Sequence, residues 1–148
     1  MQLAIASDHA GYPLKAALVP WLEAAGHDVL DLGTNGTASV DYPDFGRALA
    51  EAVASGRAER GIAVCGSGIG ISIAVNRHPA LRCARVDDPL SATLARQHND
   101  ANAVAFGARL IGEEMARAIL TAFLSADFEG GRHQHRVDKL GAPQETLA

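Results

Sequence analysis

Apolar runs of strand length alternate five times with stretches of helical spacing along this chain, and this alternation limits the possible folds. The strand-like runs are residues 3–7, 27–32, 61–65, 81–86 and 103–106. The helical stretches are residues 13–25, 41–54, 71–75, 88–96 and 112–125. Buried strands joined by helical crossovers form a parallel sheet covered on both faces. We therefore predict an α/β fold with three layers (α/β/α), built on a doubly wound, five-stranded parallel sheet of the Rossmann or flavodoxin type.

Prolines and a glycine mark several helix boundaries. Pro13 lies in the first turn of the first helix and Gly26 just past its end, while Pro20 falls inside it and should kink or shorten it. Asp88 and Pro89 form a cap and first position for the fourth helix. The remainder from residue 126 is polar, and we expect residues 142–148 to form a loose tail.

Composition excludes several classes of function. A chain of 148 residues is long enough for one domain with a sizeable core. Its net charge of −4 argues against a nucleic-acid or anionic membrane partner. No run reaches the length of a bilayer span, no signal peptide is evident, and the two cysteines fit a reducing compartment, so we expect a cytoplasmic protein. No pair of metal-ligating residues shows ligand spacing, and neither a metal nor a cofactor is expected.

The most informative motif is the glycine-rich turn after the third strand, Cys65-Gly66-Ser67-Gly68-Ile69-Gly70. Its glycines allow close approach of the backbone to a ligand, and the N–H groups of the following helix start would face an anion. A thiol at the strand end can act as a nucleophile or a base. The motif matches neither the phosphate-binding loop nor the dinucleotide fingerprint. Taken alone it is equally consistent with a ligand loop and a tight structural turn.

Strand order decides what lies beside this turn. Ligands of doubly wound sheets bind outside the carboxyl ends of strands, where the order reverses. If the central order is 2-1-3, the loop after the first strand, with Asp8 and His9, adjoins the loop with Cys65 and Ser67. A carboxylate, an imidazole, a thiol and a hydroxyl would then share one crevice.

Several separate motifs carry a resemblance to a known family. They are Ser7 to Gly11, Asp41 to Phe45, Cys65 to Gly70, His98 to Asn102, Gly107 to Arg109, and Gly131 to His133 with Arg136-Val137. These motifs resemble those of ribose-5-phosphate isomerase type B, a family that includes the galactose-6-phosphate isomerase subunits. They follow one another in the same order as in that family, over residues 2 to about 141. The resemblance implies a doubly wound α/β fold, no metal, and a homodimer or dimer of dimers with active sites at the subunit interface. It also implies interconversion of a phosphorylated aldose and ketose, with ribose 5-phosphate and ribulose 5-phosphate as the leading pair.

The resemblance also assigns roles to positions. Cys65 matches the base, and His98 matches the acid that opens the sugar ring, with Asp8 and Ser67 as its expected partners. The expected substrate-binding residues are His9, Tyr42, Gly66, Gly68, Ile69, Gly70, Asn99, Arg109, Arg132 and Arg136. Arginine suits a phosphate because its charge is permanent and its donors are forked.

Some alternatives stay open at this point. Tyr42 could belong only to a helix cap, and Arg132 with Arg136 could be a solvated face. A subgroup of the family uses a glutamate where this chain has Ile71, which leaves Cys65 as the base candidate. Residues 85–89 depart from the usual family sequence. Another phosphorylated sugar (allose, galactose or a tetrose) and a non-catalytic phosphosugar- or nucleotide-binding module remain the alternative functions.

Overall fold

The structure, a computed structural model, describes residues 1–143 and is built around one parallel sheet. Its strands are β1 (Gln2–Ser7), β2 (Asp28–Asp31), β3 (Arg60–Cys65), β4 (Cys83–Arg85) and β5 (Ala103–Gly107). Its α-helices are α1 (Tyr12–Ala24), α2 (Tyr42–Ala54), α3 (Ile69–Val75), α4 (Pro89–Asn99), α5 (Glu113–Ser125) and α6 (Gln134–Leu140), with a 3-10 turn at Gly131–His133. None of the helices described is long and apolar enough to cross a membrane.

The strand order is β2-β1-β3-β5-β4, and every neighbouring pair is parallel. This confirms the predicted α/β class and the central order 2-1-3. Ile5 pairs with Ile62, and Ile62 pairs with Val104, so the three central strands are in register through the core. The order reverses between β1 and β3, and the loops that follow these two strands are therefore neighbours.

The two faces of the sheet carry side chains of different size. One face presents Leu, Ile, Val and Phe residues of β1, β3 and β5 to a core that includes α1 and α5. The other presents mostly alanines and Cys65 to residues of α2 and α3. Small side chains let these helices lie close: a Cβ built on Gly46 of α2 would be 2.7 Å from the Cβ of Ala74 in α3. Cys65 therefore lies on the face covered by closely packed helices.

Several predicted boundaries differ from those observed. The fourth strand is only Cys83–Arg85, because the Arg82 N–H is engaged by the side chain of Asn102. α4 continues three residues beyond the predicted end and stops where Asp100 takes a left-handed conformation (φ 47°). α1 runs through Pro20 without being shortened. Pro20 and the residue one turn before it are exposed, so the carbonyl that loses its donor lies on the solvent side.

The polar C-terminal segment is more ordered than the sequence indicates. It contains the 3-10 turn and α6, which is held by the buried side chain of Val137. The amide N–H of Glu129 donates to the carbonyl of Gln97 at 3.0 Å and attaches the segment to α4. Of the predicted loose tail, residues 144–148 lie outside the described residues.

Candidate active site

The glycine-rich turn, here called the thiol loop (residues 65–70), folds around the sulfur of Cys65. The Gly68 N–H donates to Cys65 Sγ at 3.1 Å, and Cys65 is only 5% exposed. Gly68 has φ +76°, and a Cβ there would lie 2.6 Å from the carbonyl carbon of Phe106. Only glycine combines this conformation with so close a backbone contact. The turn therefore fixes the thiol beneath the first residues of α3.

Three successive carbonyls of the thiol loop are held by the neighbouring strands. The Cys65 carbonyl accepts the Ala108 N–H at 2.9 Å, and the Gly66 carbonyl accepts the Arg109 N–H at 3.0 Å. The Ser67 carbonyl accepts two N–H groups of the Arg85 guanidinium, at 3.1 and 3.0 Å. The loop is therefore rigid on the side that faces β5 and β4.

The loop after β1 lies directly beside the thiol loop, as the strand order predicts. The Asp8 N–H donates to the Val64 carbonyl at 3.2 Å, one residue before Cys65. Asp8 Oδ1 accepts the Gly11 N–H at 3.0 Å, which orients the carboxylate at the start of α1. His9 Nδ1 accepts the Val40 N–H at 3.1 Å, so a neutral His9 carries its proton on Nε2.

Tyr42 and Arg109 border the thiol loop from opposite sides. A Cβ on Gly70 would lie 2.7 Å from Cζ of Tyr42, and one on Gly66 would lie 3.2 Å from Nη1 of Arg109. Both side chains are exposed and remain accessible to a ligand. Tyr42 is thus at the site in addition to starting α2, where the Asp41 side chain makes no cap bond. We call Asp8, His9, Tyr42, the thiol loop and Arg109 the carboxyl-edge group.

The remaining predicted site residues form a second group, His98, Asn99, Arg132 and Arg136, which we call the amino-edge group. The His98 ring stacks on His133, with centroids 4.4 Å apart and planes 14° apart. Glu129 Oε1 lies 3.9 Å from Nε2 of His98 and 3.5 Å from Nε2 of His133. Arg132 and Arg136 are exposed beside this stack. Burial lowers the pKa of His133, and the neighbouring His98 and arginines lower it further.

The two groups lie at opposite ends of the strands, one at the carboxyl ends and the other at the amino ends. Asp8 and Cys65 are at the carboxyl ends of β1 and β3, whereas His98 lies at the end of α4, which runs back to the amino ends of the strands. The Gly61 N–H donates to the Asn102 carbonyl at 2.9 Å, which ties the link after α4 to the start of β3. Since β3 has six residues, its two ends are roughly 16 Å apart. In the described part of one chain, His98 therefore contacts neither Asp8 nor Ser67.

The site also contains residues that the sequence reasoning did not select. Glu129 and His133 contact His98, and together the three side chains place one ligand atom each within 4.8 Å of one another, a set that could hold a cation. The one-turn spacing of Glu129 and His133 was a signal for this pair, but nothing links them to His98 in sequence. Arg85 was noted only as part of an unusual stretch.

The fold and the carboxyl-edge group define a class of protein. A thiol held by a backbone N–H at the switch point of a doubly wound sheet, with arginine and histidine beside it, is typical of enzymes that act on small anionic substrates.

Comparisons with known proteins make the assignment more specific: the chain belongs to the Ribose/Galactose Isomerase family, whose pattern matches residues 3–140. It is 44% identical to ribose-5-phosphate isomerase B of Escherichia coli over 97% of both chains. It is 39% identical to D-erythrulose-4-phosphate isomerase of Pectobacterium atrosepticum, over 95% of this chain and 93% of the relative. The solved structure of Clostridium thermocellum ribose-5-phosphate isomerase B superimposes with a TM-score of 0.96 and 47% identity, covering 100% of both chains.

Proposed function

We propose that this protein is an aldose–ketose isomerase that interconverts ribose 5-phosphate and ribulose 5-phosphate through an enediolate. The observation that carries the proposal is the Cys65 thiol, which accepts the Gly68 N–H at 3.1 Å at the switch point of the sheet. Full-length relatives named ribose-5-phosphate isomerase B support the choice of substrate. No cofactor is needed, because the reaction moves a proton between adjacent carbons and leaves the overall oxidation state unchanged.

In the proposed reaction Cys65 acts as the base. As a thiolate it removes the proton from C2 of the open-chain aldose, and as a thiol it returns that proton to C1, while the hydroxyl proton on O2 is transferred to O1. One positioned group can serve both steps because the two carbons are adjacent. The thiol loop, with Ser67 and the backbone around Gly66, Gly68, Ile69 and Gly70, faces the oxygen that becomes negative. Fixed donors at such an oxygen are typically worth about 3–4 kcal/mol each.

The amino-edge group supplies the remaining functions in this proposal. His98 transfers a proton to the ring oxygen when the sugar opens, and Asn99 binds a sugar hydroxyl. Arg132 and Arg136 bind the phosphate with His9 and Arg109 of the carboxyl-edge group. The two exposed arginines of α6 and its preceding turn are free in the described residues to make forked bonds to a dianion.

We further propose that each active site combines the carboxyl-edge group of one chain with the amino-edge group of a second copy. A distance of roughly 16 Å along β3 keeps the two groups of one chain from holding the same small sugar. A two-fold pairing that brings opposite edges together completes two sites at once. Ile69 in the thiol loop and Ile73, which follows it in α3, leave about half of their surface exposed, as expected of an interface. The protein would then be a homodimer or a dimer of dimers, and a cytoplasmic location stays a prediction.

Replacing the base tests the chemical role. Cys65→Ala should lower kcat by about 10²–10⁴-fold while substrate still binds. Cys83→Ala is the matched control, since Cys83 is the second free cysteine and lies on β4 away from the turn. Isomerisation of ribose 5-phosphate and binding by calorimetry are measured on both variants. Activity of Cys65→Ala within a few-fold of the unaltered protein would contradict the assignment.

Mixing two inactive variants tests the shared site. Cys65→Ala and Arg132→Ala are combined under conditions that exchange subunits. If the two residues of one site come from different chains, a hybrid collects both lesions in one site and leaves the other intact, so activity returns. If they come from one chain, every site carries a lesion and activity stays absent. A fully active monomer would refute the shared site outright.

A second substrate has specific support, because a relative 39% identical to this chain is named D-erythrulose-4-phosphate isomerase. The same base and loop would act on a tetrose phosphate, or on allose or galactose phosphate, with a different fit to the sugar. A panel of phosphorylated tetroses, pentoses and hexoses compared by kcat/KM decides among them. Exchange of the C2 proton of a bound sugar phosphate with solvent distinguishes an enzyme from a non-catalytic binding module.

A further inference from the structure

Arg85 reaches the thiol loop from β4, and the proposed reaction gives it no role. Its Nε and Nη2 donate to the carbonyl of Ser67 at 3.1 and 3.0 Å, and Nη1 pairs with Asp87. The Arg85 side chain is 25% exposed; its bonds to Ser67 are partly buried, whereas its pair with Asp87 is exposed.

A single peptide group connects Arg85 with the thiol. The Ser67 carbonyl belongs to the same peptide as the Gly68 N–H, which donates to Cys65 Sγ at 3.1 Å. In a trans peptide the carbonyl and the N–H point in opposite directions. The guanidinium therefore holds one end of this peptide while the sulfur accepts from the other. A charged donor at the carbonyl polarises the peptide and makes its N–H a stronger donor.

The Ser67 carbonyl is bound differently from the carbonyls of the two preceding residues. The carbonyls of Cys65 and Gly66 are bound by backbone N–H groups after β5, which only a substitution by proline removes. The Ser67 carbonyl depends on a side chain, and that side chain comes from β4, the strand at the edge of the sheet. A change at Arg85 can therefore release this peptide while the rest of the loop stays bound.

We propose that Arg85 is a positioning residue that fixes the Ser67–Gly68 peptide so that its N–H stabilises the thiolate of Cys65. Arg85 does not contact the substrate and acts only through this peptide. The consequence for catalysis rests on the proposed role of Cys65 as base. The effect on the thiolate itself is independent of that role and can be measured without substrate.

The test follows thiolate formation by ultraviolet absorbance against pH. Burial raises the pKa of the Cys83 thiol to about 12, and a Cys83→Ala background leaves Cys65 as the single thiol. Arg85→Leu should move the ionisation midpoint of Cys65 upward by about one pH unit. It should also lower kcat about 10-fold with KM nearly unchanged. Arg85→Lys, which keeps a charged donor but loses the fork, should recover part of both effects.

Two further variants test whether the shift comes from the Ser67–Gly68 peptide, from the loss of any arginine–carbonyl bond, or from net charge. Arg60→Leu also removes a hydrogen bond from a guanidinium to a carbonyl, that of Phe123 at 2.7 Å. Because Arg60 lies at the amino end of β3, opposite the thiol loop, this variant should leave the ionisation midpoint of Cys65 unchanged. Asp87→Asn removes a negative charge and keeps the bonds to Ser67, so it should move the midpoint downward, and by less than Arg85→Leu moves it upward. A downward shift from Asp87→Asn as large as the upward shift from Arg85→Leu would mean that net charge acts instead of the peptide, and it would overturn the proposal.

The results can contradict this inference without contradicting the proposed role of Cys65, and the reverse also holds. An unchanged midpoint in both Arg85→Leu and Arg85→Lys, with normal urea unfolding, overturns the inference even if Cys65→Ala is inactive. If Cys65→Ala keeps its activity, the proposed role of Cys65 as the base fails, and a shifted midpoint in Arg85→Leu still supports the coupling to the thiolate.

Discussion

Gly68→Ala should damage stability and activity together, because two separate penalties meet at this position. Its φ of +76° disfavours any L side chain by about 1–2 kcal/mol. An added Cβ would also lie 2.6, 2.8 and 3.0 Å from the C, Cα and N atoms of Phe106. These are backbone atoms of a buried central strand and cannot turn aside, so overpacking adds about 1–3 kcal/mol. The sum is a loss of about 2–5 kcal/mol in the free energy of unfolding.

Other glycines of the chain separate the two penalties. Gly26 has φ +96° with open space around it, so Gly26→Ala measures the conformational penalty alone. Gly107 has no positive φ, but its Cβ would lie 2.5 Å from the carbonyl carbon of Ser67, so Gly107→Ala measures the contact alone. Gly36 has neither feature and Gly36→Ala provides the baseline.

Urea unfolding of the four variants, followed by circular dichroism, gives the free energies, and isomerase assays are run in parallel. At this size, each kcal/mol also lowers Tm by roughly 2–4 °C. Gly68→Ala should lose more stability than Gly26→Ala by about 1–3 kcal/mol, and lose activity because the Gly68 N–H leaves Cys65 Sγ. Equal losses from Gly68→Ala and Gly26→Ala would refute the argument, since the contact with Phe106 would then carry no energy.

Three other predictions concern charge, pH and metal. Asp31→Asn should lower the free energy of unfolding by about 3 kcal/mol, because it leaves the buried ammonium of Lys15 (1% exposed) without the carboxylate 2.6 Å away. Lys15→Met removes the buried charge itself and should therefore lower the free energy of unfolding by less in the same urea assay. Because the pKa of His133 is lowered in the folded chain, the unfolded chain binds that proton first, and stability should fall as the pH drops below about 6.5. Urea unfolding at several pH values should show a shallower fall in His133→Gln, and an identical slope would contradict this. Dialysis against a strong chelator should leave isomerase activity unchanged, and a loss reversed by one divalent ion would contradict the expectation that no metal is needed.

The architecture could be predicted because each strand is a short apolar run between helical stretches. The adjacency of Asp8 and Cys65 followed from assuming the central order 2-1-3, which the structure has. What could not be predicted depends on contacts between residues distant in sequence. The fourth strand begins late because the side chain of Asn102, 20 residues away, engages the Arg82 N–H. α4 ends late, where Asp100 takes a left-handed conformation. α6 was not predicted because its stretch is polar, with Val137 as its one buried side chain.

The resemblance implied a site shared between subunits, but it did not divide the site residues into the two groups that the structure separates. The motifs assign His98 and Cys65 to one site, but they do not indicate that the last turn of α4 lies at the amino ends of the strands. Only the direction of a helix relative to its strand reveals the separation. The bond between Arg85 and Ser67 is similar, because 18 residues separate the partners and the pair follows no repeating spacing. The individual roles of the site residues stay predictions.

The separation of the two groups has a consequence for how such a chain can diversify. Each copy would give one edge and receive the other, so the two edges can change independently without disturbing one another through the core. After gene duplication, one paralogue could lose its thiol loop and the other its arginines, and a mixed pair would still form one complete site. The mixed pair would then depend on both genes, and mutations in one would be compensated only by its partner. A small fold would in this way permit division of labour between subunits without any new structural element.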